Sequence, residues 1–289
     1  MNEYELRARI EQLREDRRRG ASELGREAMA VAADAARYLP AESAADLSAA
    51  LITLADELAV VRPSMAPLYN LAMRWRQQLK ASVVTKAEDL RESAAEQAME
   101  LANASRLAVE QVIAHTLETI APYRVIITHS LSSTLTEVFH RLPDKANHHV
   151  ILTESRPLNE GHQLAALLSG WQLPATLITD AQLGLFVQRA DVALVGADAL
   201  LADGSVVNKS GTSLLALAAH ESKIPFYVSA ETLKQHRTDT APPEPEVMAP
   251  AELGAPGWPG VDIGNVYFDT TPARLVSGWI NEHGLQQRG

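Results

Sequence analysis

The sequence has 289 residues, with 36 acidic and 26 basic side chains and a formal net charge of −10. This charge argues against wide contact with nucleic acid or with an anionic membrane, because such partners need lysines and arginines to neutralise their phosphates. The chain has no cysteine, no apolar run of about 18 residues and no secretory signal, so we exclude disulfides and thiolate nucleophiles and expect a cytoplasmic protein.

Residues 1–121 are predicted to form a helical domain, because alanine, leucine, glutamate and arginine dominate this part of the chain. Leu6, Ile10 and Leu13 recur at helical spacing and indicate the first helix. Further helices are predicted over residues 21–38, 44–61 and 86–120, with one more after Pro67.

Residues 122–289 are predicted to form a Rossmann-like α/β domain with a doubly wound, mostly parallel sheet. Short β-branched runs alternate there with segments long enough for crossover helices. Most runs lack period-two alternation, which is typical of a sheet covered on both faces. The predicted strands are residues 124–128, 149–153, 175–179, 192–196 and 225–229, with a hairpin at 200–207 and a proline-rich loop at 241–260.

Polar residues follow several of these predicted strands, where open parallel sheets bind their ligands. Ser132, Ser133 and Thr134 stand at a predicted helix start, which attracts phosphate but also uses such residues as ordinary N-caps. Asp198 follows the fourth strand, either as a partly buried acid that exchanges a proton or as a turn residue.

Three basic residues stand at element boundaries. Lys209, next to Asn208, precedes a predicted helix, where the helix dipole disfavours a cation. Either a bound phosphate or solvation of the side chain would explain a lysine at this position. Arg19 and Arg62 stand between predicted helices, where each is either a surface residue or a fork for a phosphate.

Two histidine patterns are weaker. His140 and His148 flank Asp144 at a spacing that suits metal ligands, but Pro143 interrupts any continuous helix, so we expect no metal and no other cofactor. The pair at residues 129 and 130 suggests a nucleophile beside its base, although neighbours on a strand point to opposite faces.

Residues 192–234 resemble the signature region of the initiation factor 2B alpha/beta/delta family. That family also contains ribose 1,5-bisphosphate isomerase and methylthioribose 1-phosphate isomerase. Four short motifs resemble it in the same order along the chain: RGAS at 19–22, VRPS at 61–64, TESRP at 153–157 and FDTTP at 268–272.

The resemblance implies a pocket for a phosphorylated sugar or nucleotide, with Asp198 as the acid that moves a proton. It also implies a homodimer or a higher homo-oligomer. The residues that would bind the ligand are Arg19, Gly20, Ala21, Ser22, Arg62, Ser132, Ser133, Thr134, Asn208, Lys209 and Lys234.

One position departs from the family. Its isomerases carry a catalytic cysteine in a Thr-His-Cys segment, where this chain has Thr128, His129 and Ser130. A hydroxyl holds its proton far more tightly than a thiol, so Ser130 needs a separate base, for which His129 and Glu154 are candidates.

The sequence therefore favours a sugar-phosphate or nucleotide-phosphate binding protein with weak or absent turnover. Two alternatives stay open. One is an active aldose–ketose isomerase, an intramolecular oxidoreductase that uses Asp198 with Ser130. The other is a regulatory subunit that binds other proteins, as subunits of initiation factor 2B do.

Overall fold

The computed structural model describes residues 2–16, 19–236 and 246–287. The chain divides into a helical unit, Met1–Ala108 with Leu233–Gln235, and a sheet unit, Val109–Thr232 with His236–Gly289. The division falls inside a long helix, whereas the sequence-based domain boundary at residue 121 comes just after that helix ends.

The helical unit is built from amphipathic helices. Leu6, Ile10 and Leu13 are buried, as their spacing predicts. Trp75 is fully buried, and its indole nitrogen donates to Ala94 O at 2.9 Å, so this large ring is packed and hydrogen-bonded. The helices are α1 Glu3–Glu15, α2 Ala21–Tyr38, α3 Ala44–Ala59, α4 Ala66–Ala81 and α5 Ala87–Ile120, the last of which ends in the sheet unit.

The sheet unit confirms the predicted α/β fold. Its strands are β1 Val125–Thr128, β2 His149–Thr153, β3 Ala175–Ile178, β4 Val192–Val195, β5 Ala199–Leu200, β6 Val206–Lys209, β7 Phe226–Ser229, β8 Phe268–Thr271, β9 Gly278–Asn281 and β10 Gly284–Gln287. Its helices are α6 Ser133–Arg141, α7 Glu160–Gly170, α8 Leu183–Phe186 and α9 Thr212–Glu221. Short 3-10 helices occupy Lys145–Asn147, Asp180–Gln182, Val187–Arg189, Thr232–Lys234, Pro250–Leu253 and Ala273–Leu275.

The main sheet has seven strands in the order β10-β9-β7-β4-β1-β2-β3. All neighbours are parallel except β9 and β10. The chain first winds outward from β1 to β3 and then resumes at β4 on the other side of β1. This reversal makes β1 and β4 adjacent at the topological switch point, where sheets of this class bind ligands.

A second sheet of three antiparallel strands, β5-β6-β8, lies beyond β4 in the chain. It contains the hairpin predicted at residues 200–207, with Gly204 at a φ of +83° in the turn. The structure extends its second strand to Lys209 and adds β8 as a partner. That pairing fixes where the side chains that follow β6 lie.

The proline-rich loop is described only in part, because residues 241–245 lie outside the described residues. Its described portion contains a 3-10 helix at Pro250–Leu253 and a single antiparallel bridge between Val247 and Val266. Across residues 2–16, 19–236 and 246–287, no helix is long and apolar enough to cross a bilayer.

Two glycines at opposite ends of α7 provide a matched test of packing. A Cβ on Gly161 would lie 1.8 Å from Thr153 O, whereas a Cβ on Gly170 would meet nothing within 4 Å. We expect Gly161→Ala to lower the free energy of unfolding by about 2–3 kcal/mol, because backbone must shift. Gly170→Ala should leave it unchanged or raise it by about 0.5 kcal/mol. Urea denaturation followed by circular dichroism measures both, and equal midpoints for the two variants would contradict the packing.

Candidate functional site

Ser130 lies just beyond the carboxyl end of β1, with a left-handed backbone at a φ of +68°. Because β1 ends at Thr128, the alternation of faces along a strand does not govern where its side chain points. The Ser130 N–H donates to Ser155 Oγ at 2.8 Å, and Ser130 Oγ donates to Glu160 Oε1 at 2.7 Å. The hydroxyl proton of Ser130 is therefore directed at a carboxylate.

Glu160 connects Ser130 to a buried cation. It is the first residue of α7, where a carboxylate interacts favourably with the helix dipole. Its second oxygen, Oε2, lies 3.1 Å from Lys209 Nζ. Lys209 ends β6, is only 6% exposed, and holds its ammonium 4.1 Å from the centre of the Tyr267 ring. Ser130, Glu160 and Lys209 thus form a continuous chain of polar contacts.

His129 links two loops and does not assist Ser130. Its Nε2 lies 2.8 Å from Ser210 O, and its Nδ1 lies 2.7 Å from Thr153 Oγ1. A carbonyl oxygen only accepts, so Nε2 carries the proton and Nδ1 accepts the Thr153 hydroxyl. Burial lowers the pKa of His129, against the opposing effect of the Ser210 carbonyl, so the neutral ring is favoured. Gly211 leaves room for the ring, because a Cβ there would lie 2.7 Å from it.

Asp198 and the start of α6 follow the two strands at the switch point. Asp198 is half-buried, and its backbone N–H donates to Val207 O at 2.9 Å. Ser132 is the N-cap of α6, and its Oγ would meet a Cβ on Gly196, beyond β4, at 2.6 Å. The predicted N-cap reading of Ser132 therefore holds. Ser133 opens the helix, and Thr134 is buried in its first turn.

The start of α9 is already capped by a carboxylate. Asp269 accepts from Gly211 N–H at 2.8 Å and from Ser213 Oγ at 2.7 Å. Asn208 Nδ2 donates to Thr212 Oγ1 at 3.0 Å, so the amide braces the same turn. The cation before this helix is balanced by Glu160, as described above. The FDTTP motif at 268–272 thus has a structural role, because its aspartate caps α9.

In the helical unit, the two predicted arginines converge on Asp16. Arg19 Nε lies 2.8 Å from Asp16 Oδ2, and Arg62 Nη1 donates to Asp16 O at 2.6 Å. Arg62 is only 4% exposed. The hydrogen bond that Arg19 donates to the Asp16 carboxylate is the main reason why the pKa of Arg19 is raised. These contacts bring the RGAS and VRPS motifs together.

The remaining predicted residues of this unit are mostly buried. Gly20 is the N-cap of α2, and Ala21 and Ser22 fill its first turn. Lys234 is 5% exposed in the 3-10 helix Thr232–Lys234. The chain around Lys234 is held to α4 by the Asn70 amide, which donates to the carbonyls on either side of it, Leu233 O and Gln235 O.

The predicted site residues are therefore divided between the units. The sheet unit contains Ser130, Ser132, Ser133, Thr134, Asp198, Asn208 and Lys209, and the helical unit contains Arg19, Gly20, Ala21, Ser22, Arg62 and Lys234.

The sequence reasoning missed Glu160 and Tyr267. In the sequence, Glu160 is recognisable only as an acidic residue near a helix start. Its position along the chain does not indicate that it contacts Lys209. In the part of the chain that the structure describes, no cluster of three histidine, aspartate or glutamate side chains suits a metal.

The comparison with known families decides the relationship. A model of the Initiation factor 2 subunit family matches residues 17–287. The chain belongs to this family. The resemblance found in the sequence motifs is therefore confirmed.

Several family members are similar over most of the chain. A putative translation initiation factor eIF-2B subunit 2-like protein of Pyrococcus horikoshii is 42% identical over 240 residues, covering 83% of this chain and 82% of its own length. Ribose 1,5-bisphosphate isomerase of Methanocaldococcus jannaschii is 36% identical over 203 residues, covering 68% of this chain and 66% of its own. The crystal structure of the translation initiation factor eIF-2B of Pyrococcus horikoshii superposes with a TM-score of 0.82 at 35% identity, covering 97% of this chain and 96% of that one.

The buried His129 predicts a pH dependence of stability. Its pKa is lowered from 6.5 in the folded protein, so the unfolded chain takes up the proton more readily. Its contribution to stability is present above about pH 6.5 and is lost as the pH falls toward the lowered folded pKa. We expect His129→Gln to flatten the fall in unfolding free energy between about pH 7 and pH 5. His220→Gln, at an exposed position of α9, is the control and should keep the slope of the wild type. A wild-type slope in His129→Gln would contradict the assignment.

Proposed function

We propose that this protein binds a small phosphorylated sugar or nucleotide at the Ser130–Glu160–Lys209 chain of contacts. The observation that supports this most is Lys209, a residue that is only 6% exposed and whose ammonium is balanced by Glu160 and the Tyr267 ring. Burying a charged group costs free energy. Binding of an anionic ligand would explain why the fold keeps the Lys209 ammonium buried beside a polar loop.

The surroundings of Lys209 support a phosphate ligand. Phosphate is bound in proteins by ammonium groups, hydroxyls and amides at helix starts. Asn208 and the α6 start at Ser132, Ser133 and Thr134 supply such groups in the same unit. The switch point between β1 and β4 is the position where this fold class binds its ligands. Arg19, Arg62 and Lys234 stay predicted phosphate contacts of the helical unit.

The relatives support the same ligand class. One relative in the family is a ribose 1,5-bisphosphate isomerase, whose sequence is 36% identical to 68% of this chain. We therefore infer that a phosphorylated five-carbon sugar is a suitable first probe. The family resemblance also leads us to propose that the chain works as a homodimer or higher homo-oligomer.

Isothermal titration calorimetry with ribose 1,5-bisphosphate and with AMP tests the proposal. We expect at least one of them to bind with a Kd below about 1 mM, which corresponds to about −4 kcal/mol. Lys209→Met should weaken that binding at least about tenfold, because a hydrogen bond to a charged group contributes about 1.5–3 kcal/mol. Lys80→Met, which removes an exposed lysine from the end of α4, is the control. Absence of submillimolar binding by both probes would refute the proposal.

Two alternatives have support of their own. An active aldose–ketose isomerase is favoured by the hydrogen bond from Ser130 Oγ to Glu160, because it gives the hydroxyl a base. Asp198 would then supply the acid. A protein-binding regulatory subunit is favoured by the 42% identity to a putative eIF-2B subunit 2-like protein. Stable capture of a partner protein by a chain that binds no phosphorylated sugar would favour this second alternative.

A further inference from the structure

Ser130 is the residue whose chemistry needs explanation, because an alcohol stands where the family's isomerases carry a thiol. A lone hydroxyl is a poor proton acceptor near neutral pH, and it becomes useful only when a second group takes its own proton. The structure provides such a group, since Ser130 Oγ donates to Glu160 Oε1 at 2.7 Å. This distance lies within the range in which protons are transferred between oxygens.

The backbone around Ser130 fixes this geometry. Its φ of +68° places a non-glycine residue in the left-handed region, which is uncommon and is found at functional sites. The Ser155 hydroxyl accepts the Ser130 N–H at 2.8 Å and holds the turn. The turn thereby directs the hydroxyl toward the start of α7, where Glu160 is the first helical residue.

His129, one of the two bases that the sequence offers for Ser130, is already engaged. Both ring nitrogens of His129 have partners, Thr153 Oγ1 and Ser210 O. Burial lowers the pKa of this histidine and favours its neutral form. His129 is therefore a structural link between two loops, and the hydroxyl of Ser130 turns to the carboxylate instead.

We propose that Glu160 is the final proton acceptor of a sugar-phosphate isomerisation and acts through the Ser130 hydroxyl. This inference rests on the proposed binding function and deepens its isomerase alternative. The substrate class is an open-chain phosphorylated aldose with a carbonyl beside a carbon that bears hydrogen and hydroxyl. Glu160 is a positioning and relay residue, and Ser130 is the group that touches the reacting carbon.

The proton transfer balances without any added reagent. The C–H bond next to the carbonyl breaks, and its proton forms a new bond to Ser130 Oγ. The original Ser130 O–H bond breaks at the same time, and that proton passes to Glu160 Oε1. The electron pair of the C–H bond forms a carbon–carbon double bond, and the carbonyl oxygen takes up a proton from Asp198. A proton then passes from the Ser130 hydroxyl to the former carbonyl carbon while Glu160 returns its proton to Ser130 Oγ, and the hydroxyl on the other carbon gives its proton to Asp198 as the new carbonyl forms. This completes the isomerisation and regenerates both the Glu160 carboxylate and the Asp198 acid.

Lys209 has a defined part in this relay. It lies 3.1 Å from Glu160 Oε2 and so leaves Oε1 to face Ser130. When Glu160 takes up the proton, the charge of Lys209 loses its counter-ion and attracts the developing negative charge of the substrate. The same lysine thus fixes the base in the resting state and stabilises the charge that proton removal creates.

The test measures incorporation of solvent deuterium into ribose 5-phosphate, whose open-chain form has a free aldehyde, by proton NMR spectroscopy. The wild type should exchange, and Glu160→Gln should be slower by at least about 100-fold, because an amide accepts a hydrogen bond but takes up no proton. Glu160→Asp should recover part of the rate.

A double-mutant cycle with Ser130→Cys separates the relay from a structural role of Glu160. A thiol ionises near neutral pH and accepts the substrate proton itself, so it does not need the carboxylate. We expect Glu160→Gln to cost at least about tenfold less in the Ser130→Cys background than in the wild type. An equal cost in both backgrounds would show that Glu160 only supports the fold, and it would overturn the relay.

Two controls distinguish failure of the relay from failure of the binding proposal. Glu137→Gln removes a carboxylate that also pairs with a cation, Arg141, and should leave the exchange rate unchanged. Calorimetry with ribose 5-phosphate and with ribose 1,5-bisphosphate is carried out on every variant. Binding without exchange by the wild type would overturn the relay and leave the binding function standing, whereas absence of binding would overturn both.

Discussion

The charge of Lys209 is the constraint on which the rest of the sheet unit depends. Lys209 is only 6% exposed, so its charge has to be balanced where it lies, because an unpaired buried charge costs on the order of several kcal/mol. The balance comes from Glu160 at the start of α7 and from the face of Tyr267. These contacts connect the end of β6 to the start of α7 and to Tyr267, the residue directly before β8. The fold therefore carries a polar cluster that an apolar core would not need.

The polar cluster around Lys209 matters for the proposed chemistry because Ser130 lies at one end of it. The contacts join an alcohol, a carboxylate and an ammonium in succession, beyond the carboxyl end of β1. β1 is paired with β4, so the loop that carries Asp198 begins at the neighbouring strand end. A fold class that binds ligands at this edge thus brings an acid and a base system to the same region of one unit. In the proposed relay, the alcohol at residue 130 accepts a proton because Glu160 takes up its own.

The sequence predicted the parts of the molecule that are governed by local patterns. The strands β1, β2, β3, β4 and β7 follow from β-branched runs. The helices follow from apolar spacing and proline positions, and the role of Ser132 follows from N-cap chemistry. The strands β8, β9 and β10 were not predicted, because FDTT, GWIN and GLQQ are short, polar or glycine-containing and depend on partners elsewhere in the chain. Glu160 was missed for the same reason. Its partners are brought to it by the sheet topology, which no spacing in the sequence records.

The competition between Glu160 and a phosphate for one ammonium tests the account most directly. Titration of Glu160→Gln with ribose 1,5-bisphosphate, compared with the wild type, measures that competition. If the ligand binds at Lys209, removal of the competing negative charge should tighten binding several-fold, since a like charge close to an anion is repulsive. Unchanged or weaker binding by a folded Glu160→Gln variant would show that the phosphate does not reach Lys209 and would contradict the account.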